Sequence, residues 1–247
     1  MIDAQVQPMP DGAVLYDAAA FGAAPQAACF EPAAAAAAWP RGGRGGVALV
    51  DTPAGRGVLR HYRRGGLAAR FSADRYLWLG LERTRAFREF RLLMHLRAAG
   101  LAVPAPLAAR VQREGLRYRA DLVTGLIADA RTLAETIHDG RADGDLAARI
   151  GQAIARLHGA GCWHADLNAH NVLIDATGTV WLIDFDRGRL RAPALGWQQQ
   201  NLARLHRSLE KIGARRQSAA FDARFWHPLL AAYHAGLAGA ATTRGLR

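Results

Sequence analysis

Three oxygen-bearing side chains stand at spacings that suit one kind of chemistry: Asp166, then Asn171 five residues on, then Asp184 thirteen residues beyond that. Moving a γ-phosphoryl group onto a hydroxyl needs a carboxylate to take the hydroxyl's proton, and oxygen ligands to hold Mg²⁺ over the nucleotide phosphates. Asp166 is the candidate base, and Asn171 and Asp184 are the candidate metal ligands, with ATP and Mg²⁺ as the implied cofactors. Asp and Asn also collect in ordinary turns. What singles out these three is their order, with apolar runs at 172–174 and 180–183 between them.

The elements around them must hold this set in place. His164-x-Asp166-Leu167-x-x-x-Asn171, followed by Asp184-Phe185, matches the catalytic loop and metal-binding motif of protein-kinase-like phosphotransferases. Val172–Ile174, a turn at 175–178 and Val180–Ile183 read as a hairpin with the carboxylates at its outer ends. Upstream, Gly42, Gly43, Gly45 and Gly46 precede two predicted strands, 47–50 and 58–62, and the second of these carries Arg60. Phe87, Phe90, Leu93, Met94 and Leu96 then recur at near-helical spacing, predicting a helix between Arg83 and Arg97 that carries Glu89. This is the order in which a kinase covers and clamps ATP phosphates, so Gly42, Gly43, Gly45, Gly46, Arg60 and Glu89 are the candidate nucleotide-binding residues. The usual cation is Lys, and Arg presents a different, forked geometry. Arg63 is an alternative cation and Glu82 a competing acid; Glu89 is preferred because it lies mid-helix.

Other positions depart from a protein kinase. Asn168 stands where a lysine is usual, Asp186 replaces the glycine of Asp-Phe-Gly, and neither an Ala-Pro-Glu motif nor a long activation segment follows. The peptide-docking apparatus is missing, which favours a small-molecule or lipid-linked acceptor. His164 reads as a structural residue of the loop, His170 as a packing or capping residue, and Trp163 and Trp181 as core.

Composition bounds the remaining possibilities. The chain has 247 residues, 51% of them hydrophobic, enough for one large domain or two small lobes. Lys and Arg total 32 against 21 Asp and Glu, a net charge of +11 that implies anionic partners: phosphates, lipid headgroups or nucleic acid. Lys211 is the only lysine, which removes a Walker A loop and makes lysine Schiff-base chemistry implausible. Cys29 and Cys162 are the only cysteines and lack metal-ligand spacing, in keeping with a reducing cytoplasmic setting. No basic leader and no long apolar run stands out, so neither a targeting segment nor a membrane span is expected.

Residues 1–38 read as a poorly constrained extension, 39–123 as a small strand-rich lobe, and 124–247 as a larger helical lobe carrying the catalytic loop. The expected fold class is therefore α+β, two-lobed and protein-kinase-like. Helical periodicity returns at 146–158, 197–209 and 225–237. The run from Arg60 to Trp78 interleaves arginines with Tyr62, Phe71, Tyr76 and Leu77, a pattern that suits either a solvated surface or contact with anionic headgroups. Arg204, Arg207, Lys211, Arg215 and Arg216 read as a plain helix face.

From about Trp39 to Leu237 the chain resembles the lipopolysaccharide kinases, in particular their members that phosphorylate 3-deoxy-D-manno-octulosonic acid (Kdo). The resemblance rests on Val58 to Leu67, Asp74 to Leu77, His164 to Asn171, Ile183 to Gly188 and Asn201 to Leu205. An Arg at position 60, unusual for a protein kinase, is similar to this family. The resemblance implies ATP-dependent phosphorylation of the 4-hydroxyl of Kdo on a lipid A precursor, in lipopolysaccharide core synthesis. It also implies a peripheral protein on the cytoplasmic face of a bacterial inner membrane, whose partners are that anionic glycolipid and the membrane surface, with no nucleic acid. Two alternatives remain open on the residues: another small-molecule kinase, acting on a heptose or an aminoglycoside, or a non-catalytic kinase-like module that binds anionic lipid or nucleic acid.

Overall fold

Short apolar runs separated by Gly- and Asp-containing turns fold here as antiparallel strands. In the computed structural model, which describes residues 2–25, 27–31, 47–62, 74–213 and 221–245, the chain divides into two compact units. The first comprises Met1–His95 with Pro104–Leu126, and the second Leu96–Val103 with Ile127–Arg247. The whole is mixed α and β.

The first unit is built on a seven-stranded sheet. Strands β1 (Ala4–Met9), β2 (Gly12–Asp17), β3 (Val47–Thr52), β4 (Gly55–His61), β6 (Pro106–Glu114) and β7 (Arg117–Gly125) run in the order β1-β2-β6-β7-β4-β3, and the short β5 (Tyr76–Leu77) also pairs with β7. Every pairing is antiparallel. Residues 4–17, placed by the sequence within a loose extension, are instead a hairpin whose second strand pairs with β6, Leu15 facing Ala109. The reason is visible in Ala13-Val14-Leu15-Tyr16, a run apolar on both faces and buried on both. Next come a helical turn, α1 (Ala18–Phe21), and a 3₁₀ turn at Ala27–Phe30. Phe30 joins the core formed by Val14, Tyr16, Val50, Leu59, Leu107 and Val123.

Helix α2 (Arg85–Ala98) lies where the apolar spacing predicts it, burying Phe87, Phe90, Leu93 and Leu96. Its last turn belongs to the second unit, as do residues up to Val103; Leu182 N–H donates to the Ala102 carbonyl at 3.1 Å.

The second unit contains α3 (Leu133–His138), α4 (Gly144–Gly159), α5 (Leu195–Lys211) and α6 (His227–Gly245). Two small sheets join them: β8 (Arg131–Thr132), β10 (Val172–Ile174) and β11 (Val180–Leu182) form one, and β9 (Cys162–Trp163) with β12 (Arg189–Leu190) the other. A capping box starts α3, Thr132 and Glu135 each accepting from the other's backbone N–H. Helix α4 buries Leu146, Ile150, Ile154 and Leu157 along one stripe. It meets α6 at Gly151, where a Cβ would lie 2.2 Å from the Leu229 carbonyl oxygen, so only glycine permits the approach. Trp163 and Trp181, expected in the core, are only partly buried. Trp181 Nε1 donates to Asp175 at 2.8 Å, and Arg191 lies 4.3 Å over the Trp163 ring.

Candidate active site

The loop after β9 is held by its own side chains and by one helix. Asn168 Oδ1 accepts from the backbone N–H groups of His170 (2.8 Å) and Asn171 (3.2 Å), an Asx-type turn. The Asp166 carbonyl accepts from Asn168 Nδ2 at 3.1 Å and from Asn171 Nδ2 at 2.9 Å. These bonds fix the Asn171 amide with its nitrogen inward, because only nitrogen can donate to a carbonyl. Its Oδ1 accepts no hydrogen bond among the described residues.

His164 lies at the centre, fully buried. The Asp166 N–H donates to its Nδ1 at 3.1 Å, so that nitrogen is unprotonated and Nε2–H donates to the Ile183 carbonyl at 3.0 Å. Burial pulls its pKa below the ordinary histidine value, against the smaller opposing influence of Asp184 and Asp166. The ring contacts Phe185 at 4.8 Å, and Ile183 N–H donates to the Asn171 carbonyl at 3.0 Å. His164 thereby joins the loop to the segment carrying Asp184, whose backbone is left-handed at φ 62°. Asp tolerates that region better than most residues, yet it costs energy, and such strain gathers at functional sites.

Along α5, positions 201, 204 and 208 face this loop. Asn201 Oδ1 accepts from His164 N–H at 3.1 Å and Nδ2 donates to the His164 carbonyl at 3.0 Å. Ser208 Oγ accepts from Ala169 N–H at 3.1 Å. Between them Arg204 Nη1 donates to Asp166 Oδ1 at 2.6 Å, an ion pair with both side chains about half exposed, 49% and 48%. Trp197, Leu202, Leu205 and Leu209 bury the rest of the helix.

Behind Asn201 a second histidine extends the network. Asn201 Oδ1 is an acceptor, so His158 Nε2–H donates to it (3.3 Å) and Nδ1 accepts from Tyr233 OH (2.8 Å). Burial drives His158 down to about 4 and Tyr233 up to about 12, so both are neutral near pH 7.

The first unit contributes a separate cluster. Glu89, 4% exposed, accepts from Tyr62 OH at 2.6 Å and from Arg60 Nη2. Arg60 also donates to Tyr62 OH at 3.2 Å. Arg85 donates to Tyr76 OH at 2.7 Å and lies 5.3 Å over the Tyr62 ring. Burial, reinforced by the Glu89 charge, raises the Tyr62 pKa well above its ordinary value. The competing acid Glu82 is taken by Arg91, which donates from Nε and Nη2 to its two oxygens at 2.7 Å each.

The structure therefore places Arg60 with Glu89 in one cluster, and gathers Asp166, Asn171 and Asp184 around His164 in another. Gly42, Gly43, Gly45, Gly46 and Arg63 lie outside the described residues. Tyr62, Asn201, Arg204 and Ser208 join these clusters without having been among the candidate site residues; Arg204 had read as part of a plain helix face. For Asn201 and Arg204 the available signal was their three-residue spacing, which puts them on one face of the predicted helix. For Tyr62 it was the single residue separating it from Arg60, which lets both reach one partner.

Asn171 and Asp184 fit a magnesium ion by donor type. Both offer hard oxygen atoms, and the Asn171 oxygen is turned away from the loop's own hydrogen bonds. Among the described residues no three His, Cys, Asp or Glu side chains gather as an all-protein metal cage. Two oxygen ligands completed by water and substrate phosphate are what Mg²⁺ commonly uses.

Comparison with known proteins places the chain among relatives of one description. The family model described as the lipopolysaccharide kinase (Kdo/WaaP) family matches residues 35–233. A protein of Xanthomonas campestris pv. campestris (strain B100) named 3-deoxy-D-manno-octulosonic acid kinase is 56% identical over 176 residues, covering 71% of this chain and 70% of the relative. Proteins of the same name from Xanthomonas oryzae pv. oryzae (strain PXO99A) and Stenotrophomonas maltophilia (strain R551-3) are 53% and 54% identical over 188 and 176 residues. They are covered over 73% and 70% of their lengths, by 74% and 71% of this chain.

Proposed function

This chain belongs to the lipopolysaccharide kinase (Kdo/WaaP) family, and we propose that it transfers the γ-phosphoryl group of ATP to the 4-hydroxyl of Kdo in a Kdo-lipid A precursor. The observation that carries the proposal is the way Asp166 is displayed. Its backbone N–H and carbonyl are both engaged in holding the loop, while its carboxylate stays about half exposed, 48%, and within reach of an incoming hydroxyl.

Asp166 accepts the proton as the sugar oxygen bonds to the γ-phosphorus. The bond from that phosphorus to the bridging oxygen breaks, and ADP leaves with the electron pair. Asn171 and Asp184 would hold Mg²⁺, which when bound neutralises charge on the nucleotide phosphates. Arg60, braced by Glu89 and Tyr62, is the proposed phosphate contact of the first unit through its guanidinium, and Gly42, Gly43, Gly45 and Gly46 are proposed as phosphate-binding residues on their sequence pattern. The first unit corresponds in this proposal to the small lobe of a protein-kinase-like fold and the second to the large lobe. The neutral, buried His164 keeps Asp166 and Asp184 in fixed relation and exchanges no proton.

The acceptor is an anionic glycolipid, and the same proposal puts the enzyme on the cytoplasmic face of the inner membrane as a peripheral protein. Among the described residues no helix is long and apolar enough to cross a membrane. Leu77, Leu79 and Leu116 are exposed near Arg113 and Arg117, and Trp78 N–H donates to the Leu116 carbonyl at 2.9 Å. With the net charge of +11, such a patch suits an anionic surface.

Mass spectrometry of Kdo-lipid A precursor after incubation with the protein, ATP and Mg²⁺ tests the proposal. One added phosphate located on the 4-position of Kdo, absent with Asp166→Ala, is the expected result. A phosphate placed on another sugar, or none with ATP demonstrably bound, would overturn it.

A further inference from the structure

Arg204 is the one member of the α5 stripe that holds a side chain and not the backbone. Asn201 and Ser208 secure the loop through His164 and Ala169, whereas among the described residues Arg204 bonds only the Asp166 carboxylate, through one of its five N–H donors. Its side chain is 49% exposed and uses Nη1 alone on Asp166, so among the described residues Nε and Nη2 hold no hydrogen-bond partner beside the displayed carboxylate. A guanidinium in this position is a preformed fork for an oxyanion. Whatever hydroxyl approaches Asp166 brings its neighbouring groups up against that fork.

We propose that Arg204 is a specificity residue that binds the carboxylate of the acceptor sugar while remaining paired with Asp166. The enzyme would thus select sugar acids whose carboxylate lies a few ångströms from the hydroxyl to be phosphorylated. This rests on Asp166 as the base and on a sugar acid as acceptor, as proposed above. A phosphate oxygen of the nucleotide offers the same oxyanion chemistry, and the test separates the two sources.

The experiment crosses two enzymes, wild type and Arg204→Gln, with two acceptors, the Kdo-lipid A precursor and its carboxamide analogue. The expected result is that kcat/KM falls about 10- to 100-fold when either the guanidinium or the carboxylate is removed, with little further loss when both are. The KM for ATP stays unchanged, and Arg204→Lys recovers only part of the loss, because an ammonium keeps the charge without the fork. Independent losses that multiply would show that Arg204 merely orients Asp166, and would overturn the proposal. A raised KM for ATP would assign the guanidinium to the nucleotide and overturn it too, as would an unchanged kcat/KM. Wild type that phosphorylates no sugar acid would sink the acceptor assignment itself, an outcome distinct from the other three. Matching thermal unfolding of the variants shows that the fold is intact.

Discussion

Asn201 grips His164 through both of its amide atoms, Oδ1 accepting from the backbone N–H at 3.1 Å and Nδ2 donating to the carbonyl at 3.0 Å. One side chain on α5 thus substitutes for a strand partner at the residue just after β9. The same oxygen takes the His158 N–H, so α4, α5 and the loop converge on one buried amide.

Replacing Asn201 by Ala would leave the His164 N–H and carbonyl and the His158 Nε2–H buried without partners. The expected loss is roughly 2–4 kcal/mol of stability, read from the midpoint of urea unfolding. Phosphoryl transfer should fall in the same variant, since Asp166 lies two residues beyond the lost anchor. Unaltered stability would show that the loop is held without this amide.

Asp166→Ala separates chemistry from architecture. The loop's hydrogen bonds use the backbone of Asp166, and among the described residues its side chain bonds only Arg204. Turnover should drop by about 100- to 10,000-fold while the unfolding midpoint moves little, because a half-exposed ion pair contributes little to stability. Retained turnover would remove Asp166 from the role of base.

The stability should depend on pH through His158. Burial depresses its folded pKa to about 4 from an ordinary 6.5. Above pH 6.5 both states are neutral and the full stability is present. As pH falls, the unfolded chain takes up the proton first, so stability drains between about pH 6.5 and 4, amounting to roughly 3 kcal/mol from this group. His164, shifted the same way by burial, adds to the slope. Urea unfolding at pH 7.0 and 4.5 should show the decline, and His158→Gln should flatten it; an equally steep decline in that variant would clear His158 of the effect.

At Gly151 the backbone of α6 lies directly against α4. An alanine there would bring its Cβ to 2.2 Å from the Leu229 carbonyl oxygen and 3.0 Å from the Tyr233 nitrogen, both backbone atoms. Gly151→Ala should therefore lower stability by about 1–3 kcal/mol despite alanine's better helix propensity. Thermal unfolding decides between the two: a raised Tm would mean that the helices shift apart at no cost.

The candidate chemistry was readable from the sequence because it is local. Asp166, Asn168 and Asn171 sit within six residues of one another, and a turn held by its own side chains leaves its signature in consecutive positions. The helices at 85–98, 144–159 and 195–211 were readable for a related reason, since each buries one stripe and the period of that stripe is set by the helix itself. Partners distant along the chain were not. Arg60 had two acids within reach by sequence, and only the packing of α2 gives it Glu89 and leaves Glu82 to Arg91. Arg204 read as one of several surface cations until α5 was laid along the loop, 38 residues away in sequence, and set it on Asp166. Residues 12–17 read as part of an extension because a strand buried on both faces shows no alternation, and only its pairing with β6 gives it a place. Composition and spacing determined which groups are present and which can act together within one turn. Tertiary structure decided which charge each of them meets, because that choice depends on which distant helix or strand is packed alongside.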